Sequence, residues 1–133
     1  MKFHLATSAG NVVTGVGPGW VRVNAEVHRQ SLLLAPDAIV APWTKAGFTA
    51  LTETDFARLL EIEPTVVVFG SGTRLHFPHP RLTRGLTAAG VGVETMDTAA
   101  ACRTYNILAA EGRRVAAALI VEAAEPPAIR AEL

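Results

Sequence analysis

In the first third of the chain, apolar positions alternate with polar ones or form short continuous runs. Trp20-Val21-Arg22-Val23 alternates, residues 26–34 follow after a turn at Asn24-Ala25, and residues 38–43 make another short apolar run. Period-two patterns of this kind predict strands. Gly10, Gly15, Gly17, Pro18 and Gly19 read as loops before and between them. The expectation for this part is an antiparallel meander.

The spacing lengthens at Thr52. Thr52-Glu53-Thr54-Asp55 offers a capping side chain and an early acid, and Phe56, Leu59, Leu60 and Ile62 follow at helical spacing until Pro64. Residues 65–69 are β-branched or aromatic and apolar on both faces, as a central parallel strand requires. Gly70-Ser71-Gly72 ends that strand. A second helix is predicted from Pro80 through Leu82, Leu86 and Ala89 to a stop at Gly90. Extended structure resumes over 91–95. Asp97 or Thr98 then caps a third helix running to about Glu111, and residues 114–121 form a last strand. The second half reads β-α-β-α-β. The predicted fold class is α/β, a mixed sheet with N-terminal antiparallel strands and helices packed on it.

A chain of 133 residues fits one domain, expected over 1–121, with 122–133 as a tail because Glu125-Pro126-Pro127 breaks regular structure. Half the residues are hydrophobic and 18% are charged, a profile that excludes a disordered chain. Twelve basic side chains balance twelve acidic ones, so the basic surplus of a nucleic-acid binder is missing. His4, Thr7, Ser8 and Asn11 interrupt the start where a secretory signal needs a continuous apolar stretch. The longest apolar run, 115–121, is too short to span a bilayer. The single cysteine excludes an internal disulfide and fits a reducing compartment. A cytoplasmic protein with no membrane span and no nucleic-acid partner is expected.

The predicted right-handed crossover through helix 80–89 makes strands 65–69 and 91–95 parallel neighbours. It brings the Gly70-Ser71-Gly72 loop and the start of helix 98–111 to the same sheet edge, where open α/β sheets bind ligands. Loop N–H groups, the helix start and the forked guanidinium of Arg103 make a candidate site for a small anionic ligand. The competing reading is that Gly70, Ser71 and Gly72 only turn the chain, while Arg103 pairs with Asp97 or Glu94. Cys102 and Thr98 are secondary candidates. Cys102 as a nucleophile would draw on His76 or His79 as base. Yet Thr98, Cys102, Tyr105 and Ala109 share one helical face, which favours packing on the sheet. His76 and His79 have a metal-like spacing, but Pro78 denies them a helix and no second pair appears, so no metal and no cofactor are expected. Arg74, Arg81 and Arg84 form a basic patch with these histidines, either a solvated face or a receiver for an acidic partner. Trp20, Trp43 and Phe48 are candidates for an interface or for the core.

The block Met96-Asp97-Thr98 through Cys102-Arg103-Thr104-Tyr105-Asn106-Ile107-Leu108, then Glu111-Gly112-Arg113-Arg114 and 115–120, resembles a known family. It is the family of small bacterial and archaeal proteins of unknown function related to the mitochondrial respiratory complex I assembly factor, of Mth-like fold. Ser31-Leu32-Leu33-Leu34, Pro42-Trp43, Leu51-Thr52 and Gly70-Ser71-Gly72 followed by Phe77 and Pro80 fit as well, so the likeness runs to Ile120. Ser71 stands where the family usually has threonine, which keeps the hydroxyl. The resemblance implies a single-domain, three-layer fold whose mixed sheet carries antiparallel strands at one side. It brings no catalytic residues, and His76 and His79 are not part of its pattern. It implies a non-enzymatic interaction or assembly-accessory protein with a protein partner. The alternative is a small-ligand or anion binder, or an unassigned enzyme, using the crevice between Gly70-Ser71-Gly72 and Arg103. The first requires an apolar or aromatic surface patch; the second requires Arg103 to point into a pocket.

Overall fold

The computed structural model of the chain describes residues 10–45 and 47–123, so the tail expected after 121 lies, from residue 124 onward, outside the described residues. Val13–Gly17 (β1), Trp20–Val23 (β2) and Glu26–His28 (β3) pair antiparallel in that order as a three-stranded sheet. Leu32–Ala35 (β4), Ala38–Val40 (β5), Val66–Gly70 (β6), Gly92–Met96 (β7) and Val115–Leu119 (β8) form a second sheet in the order β5-β4-β8-β6-β7. The helices are Glu53–Ala57 (α1), Pro80–Ala88 (α2) and Thr98–Ala110 (α3), with 3-10 turns at Phe48–Ala50 and Arg58–Ile62.

The mixed α/β fold is the expected one, with one refinement. The N-terminal strands are divided between two sheets, because the run 26–34 is broken where Arg29 and Gln30 are exposed. Ser31 makes the switch. Its carbonyl accepts the Trp43 N–H at 2.7 Å, and its hydroxyl accepts the Val121 N–H at 3.0 Å. Gly15 and Gly17, which mark loop in the sequence, lie within the β1 strand. Those glycines instead make room for side chains of β2. A Cβ on Gly17 would stand 2.5 Å from the Trp20 Nε1, and one on Gly15 would stand 2.9 Å from an Arg22 nitrogen. The indole lies across the hairpin, with the Arg22 guanidinium 5.8 Å from its ring centroid.

In the larger sheet, β8 runs parallel to β6 and antiparallel to β4, and every residue of β8 is buried. A strand covered on both faces needs apolar residues throughout, which the sequence of β8 supplies. Val115, Ala117 and Leu119 face a core shared with Leu32, Leu34, Val68, α3 and the three-stranded sheet (Val13, Val21, Val23). Ala116 and Ala118 face the other core, with Leu33, Trp43, Phe56, Leu59, Val67, Phe69 and Leu86. The sheet is thus the middle of three layers. Trp43 is 2% exposed, its ring edge-on to Phe56 at 5.7 Å, and its Nε1–H donates to the Asp55 carbonyl at 2.8 Å. It is a core residue. Each such buried large apolar side chain contributes about 1.5–3 kcal/mol.

Local chemistry sets the helix ends. Thr52 Oγ1 accepts from the Asp55 N–H at 3.2 Å while the Asp55 carboxylate accepts from the Thr52 N–H at 2.9 Å, a reciprocal capping box. Glu63, at φ 58°, then turns the chain out before Pro64. At α2, Pro80 occupies the first helical position and the Nδ1 of His79 accepts from the Arg81 N–H at 3.1 Å.

Candidate functional site

Gly70 ends β6 against the first turn of α3. A Cβ there would lie 2.9 Å from the Thr98 Cα, so only glycine lets the strand and helix approach this closely. Thr98 exploits the contact. Its buried hydroxyl accepts from the Gly72 N–H at 2.9 Å and donates to the Ile120 carbonyl at 2.7 Å. Its own N–H donates to the Gly72 carbonyl at 2.9 Å. One residue thereby ties the loop, α3 and the end of β8.

The loop N–H groups are all engaged. Ser71 N–H donates to the Met96 carbonyl at 2.9 Å, Gly72 N–H to Thr98, and Thr73 N–H to the Glu122 carboxylate at 2.8 Å. The Thr73 hydroxyl adds a second bond to the same Glu122 oxygen at 2.9 Å. The anion at this loop is the chain's own Glu122. The start of α3 is likewise capped by a carboxylate of the chain, with Asp97 Oδ1 accepting the Ala100 N–H at 2.8 Å.

Beside the loop lies a pocket of about 260 Å³, between the β1–β2 turn and the start of α3. Val16, Trp20, Val21, Ala99, Ile120 and Val121 give it mostly apolar walls, with Gly72, Thr73 and Thr98 on the loop side. Arg103 is exposed on α3 and does not line this pocket. It forms no ion pair with Asp97, Glu94 or any other carboxylate among the described residues. The structure therefore gathers Gly70, Ser71, Gly72 and Thr98 and leaves Arg103 apart from them.

The other members of the α3 block serve the fold. Cys102 is buried, and burial pushes its thiol up to about 12, with the Arg103 charge pulling slightly the other way. Tyr105 donates its hydroxyl to the Asn11 carbonyl at 2.8 Å; burial, then the charge of Asp37, raise its phenol above the usual range. The Asn106 amide pairs with both backbone groups of Val13, accepting from its N–H at 3.0 Å and donating to its carbonyl at 2.8 Å. This role was not read from the sequence. The available signal was an asparagine in a helix interior, where it is unfavourable unless its side chain has a partner outside the helix.

In the segment after the loop, the sequence draws attention to the histidines and arginines and, through the family resemblance, to Phe77 and Pro80. Ser71, fully buried, donates its hydroxyl to the Arg74 carbonyl at 2.7 Å and accepts the His76 N–H at 2.9 Å. The His76 ring stacks on Phe48 at 5.0 Å and 29°, and Phe48 stacks on the buried Phe69 at 6.1 Å. The segment is thus tied to the core by backbone and ring alike. It nevertheless holds Leu75 52% exposed and Phe77 72% exposed. His76 stacks and His79 caps a helix, and no metal-binding group of three or more ligand residues occurs among the described residues. Arg84 forks onto both oxygens of Glu53 at 3.0 and 3.1 Å, and this hydrogen bonding lowers the Glu53 carboxyl below its ordinary range. Arg74 and Arg81 form no ion pair among the described residues.

No helix among the described residues is long and apolar enough to cross a membrane. The family of proteins of unknown function DUF498/DUF598 matches residues 13–120. An uncharacterised protein of Rhodobacter capsulatus is 40% identical over 108 residues, 81% of this chain and 82% of that one. The Bos taurus protein named NADH dehydrogenase (ubiquinone) 1 alpha subcomplex assembly factor 3 is 37% identical over 89 residues, 65% of this chain. That match spans only 48% of the bovine protein. A Bordetella pertussis solution structure, described as a Mth938-like domain, superposes with a TM-score of 0.79 at 34% identity, covering 94% of this chain and 95% of that one. The resemblance carried by the 98–120 block is met in both family and fold. The chain belongs to the DUF498/DUF598 family of proteins of unknown function.

Proposed function

We propose that this chain is an accessory protein that acts by binding another protein during assembly of a larger complex, without turning over a substrate. Relatives named as assembly factors of NADH dehydrogenase support the reading. The observation that carries it is the anchored segment presenting Leu75 and Phe77 to solvent. Single exposed apolar side chains such as Ile107 are ordinary, but two large ones two residues apart on an anchored segment make a local patch of the kind that marks a binding surface. Thr98, Cys102, Tyr105 and Asn106 in the α3 block, by contrast, are committed to internal bonds or to the core.

Disrupting the gene in the parent organism should lower the amount of assembled NADH–ubiquinone oxidoreductase in its membranes several-fold, seen on native gels and as NADH oxidation. Restoring the wild-type chain should bring it back. Unchanged complex on disruption would overturn the reading.

A second reading rests on the 260 Å³ pocket. Its apolar walls and the Asp97 and Glu122 carboxylates in its lining suit a small apolar molecule better than an anion. Filling the pocket with Val16→Trp would abolish such binding and leave the accessory role intact.

A further inference from the structure

We infer that the segment from Arg74 to Arg81 is the docking surface for a protein segment in which acidic side chains surround apolar ones. The inference rests on the accessory-protein reading and names the chemistry of the partner.

The first support is the combination of exposure and anchorage. Leu75 and Phe77 point outward from a backbone held by the buried Ser71 hydroxyl, and His76 between them is stacked on Phe48. A surface already ordered loses little further conformational freedom when a partner binds, so its apolar area converts efficiently into affinity. Two neighbouring anchors, one aromatic, match the way protein interfaces concentrate their binding energy in a few side chains.

The second support is charge. Arg74 immediately precedes Leu75, and Arg81 follows Pro80 at the start of α2. Neither guanidinium is in an ion pair among the described residues. Glu53 is paired with Arg84 and also feels the Arg81 charge, and Glu122 keeps its charge in its bonds to Thr73, so the three arginines outnumber the two carboxylates by one. The charge left for a partner is positive, and complementary potentials set partner choice.

Other occupants fit less well. A lipid surface is held by clusters of roughly four to eight basic residues or by a deeply inserted chain, and this segment offers two arginines and two apolar tips. A second copy of the chain meeting it across a two-fold axis would bring the same arginines face to face.

The test is selection from a random peptide library displayed on phage. The full chain is the bait, and the Leu75→Ser/Phe77→Ser chain is used for counterselection. Enriched peptides should carry Asp or Glu flanking Leu, Phe or Trp. Fluorescence anisotropy with one such peptide should show binding weakened about tenfold or more in the double variant, as expected for loss of interface anchors. A second variant, Arg74→Glu/Arg81→Glu, keeps the apolar tips. It should lose the acidic peptide and gain affinity for the same peptide with lysine in place of its acids. Both variants should melt with the wild type, since the altered side chains are exposed.

The inference is overturned if no loop-dependent peptides emerge, or if those that emerge are basic or neutral. Loop-dependent sedimentation with vesicles of phosphatidylcholine and phosphatidylserine, without peptide binding, would overturn it in favour of a membrane. The double variant restoring complex levels in the disrupted strain would sink the docking surface and leave the accessory role standing. If disruption itself leaves those levels unchanged, the accessory role falls, and the peptide selection still decides the surface.

Discussion

Cys102 sits in the core that also holds Val68, Ala117 and Leu119, and desolvation there moves its thiol from 9.0 to about 12. The sign of the resulting pH dependence follows directly. Between those values the unfolded chain has lost the proton and the folded chain keeps it. The Cys102 contribution is therefore undiminished below about pH 9 and is lost as pH rises toward 12, by up to about 1.4 kcal/mol per unit. Denaturation at pH 8 and pH 10 should show the wild type losing more stability than Cys102→Ala. A disulfide reagent at pH 8 should label the thiol only once the chain is unfolded; equal labelling of the folded protein would place it at the surface. The shared helical face of Thr98, Cys102 and Tyr105 made this burial legible in the sequence. The outward position of Arg103 was not, because helical phase assigns a face but does not say what lies over it. The exposure of Leu75 and Phe77 is illegible for a similar reason: apolar residues in an unpatterned segment have no period to mark which way they point.

Among the elements, the contact between β6 and α3 is the tightest joint. Gly70→Ala would place a methyl 2.9 Å from the Thr98 backbone and 3.1 Å from the Ala101 Cβ, so the helix must move away. The Thr98 bonds to Gly72 and Ile120 would lengthen with it. The substitution should cost about 1–3 kcal/mol in urea denaturation, the range for overpacking a close contact. Gly85→Ala, with open space at its Cβ and a helical position, should be neutral or stabilising by comparison. The β-α-β-α-β half was legible because each change of period coincided with a cap or a glycine. The three-stranded sheet was not. Its first strand carries glycines that a single sequence marks as turns, and their purpose appears only with the Trp20 indole lying across them.

At the scale of the whole molecule, two cores share one sheet, and alternate residues of β4, β6 and β8 report to opposite sides. Leu33 and Leu34 are covalent neighbours in different cores. Loosening one layer therefore loosens the sheet that supports the other, and unfolding should be cooperative. Trp20 lies with the three-stranded sheet and Trp43 in the opposite core, so the variants Trp20→Phe and Trp43→Phe each leave one reporter. Their fluorescence transitions in denaturant should share a midpoint once each variant's own stability, measured by circular dichroism, is taken into account. A reporter that moves ahead of the circular dichroism would show a layer that opens alone. The class of the fold was legible from the strand and helix periods, whereas the partition of strands into two sheets depends on Ser31 bonding to Trp43 and Val121, contacts across long stretches of chain.

Between molecules, the amide of Asn106 carries one more consequence. β1 is an outer strand, and an outer strand offers unpaired backbone groups to any other chain that can lie alongside it. At Val13 those groups are occupied by a side chain from α3, which copies the donor and acceptor of a peptide but has no next residue to continue the ladder. The helix thus terminates sheet growth at this margin. In a crowded cell that guards against edge-to-edge aggregation, a service to solubility rendered by a residue that elsewhere in a helix would be a poor choice.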